Sequence, residues 1–101
     1  MWYILDENNK PIKSTVLEAG RWMENNLDKK AVKQESIGDA RVSTVFLGLD
    51  HAWPKDENTP ILWETMIFGG EHDQNYQERY TSYEDALEGH QRAIDLIKNS
   101  K

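Results

Sequence analysis

A chain of 101 residues is long enough for one hydrophobic core and too short to divide, so a single domain over residues 1–101 is expected. Its 38% apolar, 10% aromatic and 30% charged content belongs to a folded chain, because such residues supply the burial that offsets chain entropy. A formal charge of −6 excludes a binder of duplex nucleic acid, and the lack of cysteine excludes disulfides, thiolate nucleophiles and thiolate-bound zinc.

Met1 to Glu7 lacks the basic start and apolar run of a signal peptide. No later run approaches the roughly 20 apolar residues of a membrane helix. These features predict no membrane partner and a cytoplasmic location.

Trp2 to Leu5 reads as a short strand, and Asp6 to Pro11 as the turn after it. Thr15 and Glu18 have capping-box spacing, and Val16, Leu17, Ala19, Met23 and Leu27 then recur at helical steps. A first helix from Thr15 to Asn26, buried on that face, is predicted.

Ala31 to Ile37 alternates weakly, Gly38-Asp39 is turn chemistry, and Arg41 to Asp50 is a strong strand signal, so the two segments predict a hairpin. His51 to Pro60 is a surface loop by its prolines and charges. Ile61 to Phe68 is the fourth strand, closed by Gly69-Gly70. Glu71 to Tyr80 is polar, and a second helix opens at Thr81, with Tyr83, Ala86, Leu87, His90, Ile94 and Ile97 on one face and Lys98 and Lys101 near its end.

The order β-α-β-β-β-α predicts an α+β domain, a four-stranded, mostly antiparallel sheet with two helices on one face. Apolar residues fall on both faces of the third and fourth strands, so the side away from the helices must meet a loop, a ligand or another copy of the chain. A homo-oligomer is the favoured solution; the alternative is that the Trp53 loop folds over that side.

The strand that ends on Asp50, His51 and Trp53 raises the question of chemistry. An Asp-His neighbour pair on a strand points to opposite faces, and no nucleophile motif accompanies it, so an acid-base enzyme ranks last. His51, His72 and His90 lack metal-ligand spacing, and His90 sits on an apolar helix face as a hydrogen-bonded core histidine would. No metal or cofactor is expected.

Glu64 and Thr65 interrupt an apolar strand, and a buried carboxylate needs a partner, for which Arg41 and Arg79 are candidates. Glu64 could serve an internal ion pair, take an exposed strand position or grip a ligand. Trp53, Trp63, Phe68, Tyr76 and Tyr80 flank the loops after the third and fourth strands, where aromatic faces could stack on a base while Arg41, Lys55 and Arg79 meet phosphate. Candidate ligand-binding residues are therefore Arg41, Thr44, Asp50, His51, Trp53, Glu64, Thr65, Gly69, Gly70, Arg79 and Tyr80. Asp50 and His51 could equally satisfy backbone groups where the strand ends.

The blocks "RVSTVFLGLDH", "ETMIFGG" and "YTSYEDALEGH", in that order from Arg41 to His90, resemble the shared signature of a family of small proteins encoded in phage genomes. The resemblance implies a viral accessory protein acting by stoichiometric binding, with no enzyme motif inherited. It also suggests the anti-CBASS and anti-Thoeris sponges, oligomers that sequester cyclic nucleotides or ADP-ribose derivatives of bacterial immune signalling. A small nucleotide is then the expected partner in an infected host's cytoplasm; the alternative is a host protein bound through the acidic or apolar surface. The matched positions include Ser43, Thr44, Asp50, His51, Glu64, Thr65, Met66, Gly69, Gly70, Tyr80, Tyr83, Gly89 and His90. The family pattern often has a glycine-rich loop after the histidine, where this chain has Ala52-Trp53-Pro54-Lys55-Asp56-Glu57.

Overall fold

The computed structural model describes residues 1–53, 58–73 and 75–99, so Lys55 and Lys101 lie outside the described residues. Strands β1 (Trp2–Leu5) and β2 (Pro11–Ser14) form a hairpin, followed by helices α1 (Val16–Asn25) and α2 (Leu27–Lys30). Strands β3 (Ala31–Ile37), β4 (Ala40–Phe46), β5 (Trp63–Phe68) and β6 (Gln77–Tyr80) follow, and helix α3 (Tyr83–Asn99) closes the chain. The fold is α+β, built on a four-stranded antiparallel sheet in the order β3-β4-β5-β6.

The sheet's fourth member is β6 and not the N-terminal strand. Gln77 to Tyr80 shows no apolar alternation because Glu78 occupies one of its two inward positions and only Tyr80 is apolar, so its strand signal is weak. Trp2 to Leu5 instead pairs with Pro11 to Ser14, across a turn in which the Asn8 and Lys10 backbone N–H groups donate to Asp6 Oδ1 at 2.8 and 2.9 Å and Asn9 takes φ 62°. Strand β4 ends at Phe46, short of Asp50. Gly48, at φ 77°, turns the chain so that its carbonyl accepts the Tyr3 N–H at 2.7 Å, tying the hairpin to the sheet.

Helix α1 begins as its capping spacing predicts, the Glu18 N–H donating to Thr15 Oγ1 at 3.2 Å. Its buried stripe is different. Ala19 is fully buried and Trp22 and Met23 pack on the core, whereas Val16, Leu17 and Leu27 are 62%, 63% and 66% exposed. The helix rests chiefly on β1, so only a narrow stripe is covered. Helix α3 is capped by Ser82, whose hydroxyl accepts from the Asp85 N–H at 3.1 Å, and it buries Ala86, His90, Ala93, Ile94 and Ile97 against the sheet.

All the core lies on the α3 side. One apolar cluster joins Tyr3, Leu5, Phe46, Leu62, Trp63, Tyr80 and Ala86, with Trp22 of α1 meeting Phe46 edge-on at 5.6 Å. The other joins Ala40, Val42, Ile67, Ala93, Ile94 and Ile97. Between them runs a polar row, Thr44 and Thr65 on paired strands and His90 on α3, each with no exposed surface. Among the described residues no helix is long and apolar enough to cross a membrane.

Candidate functional site

Strand alternation fixes what the opposite side of the sheet presents. With Val42, Thr44, Phe46, Trp63, Thr65 and Ile67 turned toward α3, the residues between them face away: Arg41, Ser43 and Val45 on β4, and Glu64, Met66 and Phe68 on β5. Gln34 on β3, and Gln77 and Arg79 on β6, join them by register. The Gln34 amide donates to Ser43 Oγ at 3.2 Å. The Arg41 guanidinium sits 5.5 Å from the centre of the half-buried Phe68 ring, a cation–π contact.

Glu64 finds its partner in Arg79, not Arg41. Arg79 Nε donates to Glu64 Oε2 at 2.8 Å, and Gln77 Nε2 donates to the same oxygen at 2.6 Å. The carboxylate is 12% exposed and the guanidinium 40%, so the pair lies at the protein–water boundary. With two Arg and one Glu, this face carries a local positive balance in a chain of net charge −6. Gln77 was legible only as part of a polar stretch; its alternation with Arg79 is the signal that marks one strand face.

The remaining candidates fall in three other places. Asp50 is 5% exposed, and its Oδ1 accepts the Ala52 N–H at 2.8 Å and the Ile61 N–H at 2.9 Å, bridging the two ends of the loop. The His51 backbone N–H donates to the Ile61 carbonyl at 3.0 Å, its side chain is exposed, and Trp53 is 89% exposed. Gly69 and Gly70, at φ 81° and 70°, close the other end of β5 against the backbone of Asp39 and Ala40. Six residues of β5 separate the two ends, about 17 Å at roughly 3.3 Å per residue, so one copy of the chain does not bring Trp53 and Gly69-Gly70 into a common pocket.

Thr44, Thr65 and Tyr80 belong to the interior. Thr44 Oγ1 lies 2.5 Å from Thr65 Oγ1 and 2.7 Å from His90 Nδ1, and His90 Nε2 lies 3.0 Å from Glu35 Oε1. Glu35 is a carboxylate acceptor, so it selects the tautomer with the proton on Nε2; Nδ1 then accepts from Thr44, and Thr44 from Thr65. Burial lowers the His90 pKa, with the Glu35 hydrogen bond opposing. Burial also pushes Glu35 up, but its hydrogen bonds with His90 and Lys33 outweigh this and leave it lowered. Tyr80 covers Gly89, where a Cβ would strike its ring, and its buried hydroxyl is held well above the usual tyrosine range by desolvation, with Thr65 opposing, and has no partner of normal hydrogen-bond geometry among the described residues.

Two shallow clefts lie among the described residues. One of about 250 Å³ lies between the β3–β4 turn and Gly70, Glu71 and His72. The other, about 310 Å³, lies beside β6 and is lined by Glu78, Arg79, Asp85 and Arg92. Both stand near the roughly 300 Å³ lower end of ligand pockets. Among the described residues, no group of three His, Asp or Glu is placed to hold a metal ion.

Comparison with protein-family models, with curated proteins and with solved structures gives no match. The fold and the face define the chain on their own terms as a small α+β domain with a one-sided sheet. Its helices and hairpin are gathered on one side and a polar, arginine-bearing platform is left on the other.

Proposed function

We propose that the protein is a binding protein that sequesters a small nucleotide on the open face of its sheet. The observation that carries this reading is the Arg41–Phe68 pair on a locally positive face of an acidic chain. An aromatic ring on a sheet can stack a base for about 1–3 kcal/mol, and arginine serves both stacking and phosphate. In Arg79 the Nε donor is held by Glu64, and the terminal donors are the ones a phosphate would use. Arg41 and Arg79 are two strands and four residues apart, about 16 Å by strand spacing and rise. That separation suits a ligand with two bases or two phosphates better than a mononucleotide.

With the phage-family resemblance, the ligand class is a cyclic oligonucleotide or ADP-ribose derivative used as an immune signal. The consequence is blocked defence in the cytoplasm of an infected host. The experiment is thermal melting against a panel of cyclic di- and trinucleotides and ADP-ribose derivatives, repeated for Arg41→Ala and Phe68→Ala. A ligand at 100 times its dissociation constant adds about 2.7 kcal/mol of stability. No shift at saturating concentrations, or an equal shift in both variants, overturns the reading.

The second reading is a stoichiometric inhibitor of a host protein. It is favoured by the exposed Val16, Leu17 and Leu27, apolar side chains that the protein's own fold leaves uncovered. It predicts that Leu17→Lys abolishes capture of the partner while the melting temperature is unchanged.

A further inference from the structure

We propose that β3 is a self-pairing edge through which two copies of this chain join their sheets. Among the described residues the sheet ends at β3 and β6, and β3 is the longer edge, seven residues against four. An unpaired edge offers a row of backbone donors and acceptors to any strand that fits it.

The charges along β3 say what fits. Lys30 and Lys33 stand toward its start, and Glu35 and Asp39 toward and just past its end. A second copy of the same strand laid parallel would set like charge on like. Laid antiparallel about a two-fold axis through Gln34, it sets Lys33 opposite Glu35 of the second copy, twice, and brings each Lys30 toward the turn that carries the other copy's Asp39. Opposite charges directly across an antiparallel pair are favourable and like charges unfavourable. Lys33 and Glu35 lie on one side of the strand, 48% and 40% exposed, and form an ion pair at 3.4 Å within one copy on the oxygen that also meets His90, so pairing across the axis exchanges or shares that contact.

The same axis preserves the faces. Positions related through Gln34 differ by an even number, so the two α3 helices fall on one side of an eight-stranded sheet and the two open faces become continuous. The register shift between Ala31 and Lys33 bends the start of the strand, which confines the flat pairing to the stretch around Gln34. The association is therefore weak and concentration-dependent. It is independent of whether a nucleotide binds.

Sedimentation equilibrium from micromolar to millimolar protein tests it. The wild-type chain is expected to pass from monomer to dimer. Lys33→Glu turns both cross-strand pairs repulsive, and Gln34→Lys sets two cations face to face on the axis. Each should raise the dissociation constant about tenfold or more, two contacts changing sign at once. Mixing Lys33→Glu with Glu35→Lys should restore a heterodimer, since every facing pair is then opposite in charge. A monomer at every concentration would overturn the proposal and make Lys33 and the bulge guards of the edge. A dimer that persists undiminished in either Lys33→Glu or Gln34→Lys would overturn the pairing; Gln34→Lys leaves both partners of Glu35 in place, so it tests the edge apart from the loss of the Lys33–Glu35 ion pair.

Discussion

Replacing Thr44 by valine keeps the shape of the side chain and removes the hydroxyl that links Thr65 to His90. Both partners are fully buried, at 2.5 and 2.7 Å from that oxygen, so neither can turn to solvent. A buried polar group left without its partner costs about 1–3 kcal/mol. Two stranded groups, one of them a rotatable hydroxyl, give an expected loss of about 2–4 kcal/mol. For a domain of this size each kcal/mol shifts the melting temperature by about 4–8 °C, so a fall of roughly 10–25 °C is expected. Thr65→Val is the control: it ends one hydrogen bond but leaves Thr44 donating to His90, and it should cost about 1 kcal/mol. The double variant should cost no more than Thr44→Val alone, and less if the stranded Thr65 hydroxyl carries its full penalty, because the hydroxyl stranded by the first change is removed by the second. Urea melts of the four proteins measure all three terms. A Thr44→Val loss below about 0.5 kcal/mol, or one equal to that of Thr65→Val, would refute the directed chain from Thr65 to Glu35.

The same row sets the response to acid. His90 is lowered below its ordinary 6.5, so the unfolded chain binds more protons just below that pH and stability falls as pH drops through the window; Glu35, lowered below 4.5, adds a loss at lower pH. Melting temperatures from pH 8 to 4 should stay level above pH 7 and decline below 6.5, and His90→Gln should remove the part of the decline that begins just below 6.5. Tyr80→Phe should leave stability unchanged or slightly raised, because it deletes a buried hydroxyl without a partner of normal geometry among the described residues; a loss above about 1 kcal/mol would show that the hydroxyl has a partner. Asp50→Ala frees two backbone N–H groups at the base of the loop and should cost about 1–3 kcal/mol, with faster amide exchange at Ala52 and Ile61; unchanged exchange would contradict the bridge. Trp53→Ala, at a side chain 89% exposed, should leave the melting temperature within about 1 °C.

How much of this was legible in the amino-acid order depends on which interactions are local. The Gly38-Asp39 hairpin, the Thr15 cap, the α3 face with His90 in it and the α+β class follow from periodicity and turn chemistry. Each of those signals is written within a few neighbouring residues. Strand β6 and the hairpin partner Pro11 to Ser14 carry no such signal, since short edge strands with a solvated face look like loops. The α1 pattern promised a wider buried face than the fold uses, because covering Val16 and Leu17 would need a surface that this chain does not supply.

The site divides the same way. The sequence by itself indicated that Glu64, if buried, needs a cation, and that His90, on the apolar face of its helix, is a core residue. Only the tertiary structure decided that the cation is Arg79, that Thr44 and Thr65 serve His90 within the core, and that Trp53 and Gly69-Gly70 stand at opposite ends of β5. Those choices depend on strand register and on which face α3 covers, and both are fixed by contacts between residues far apart in the chain. A one-residue change of register would have turned Thr44 outward and Ser43 inward with the same local sequence.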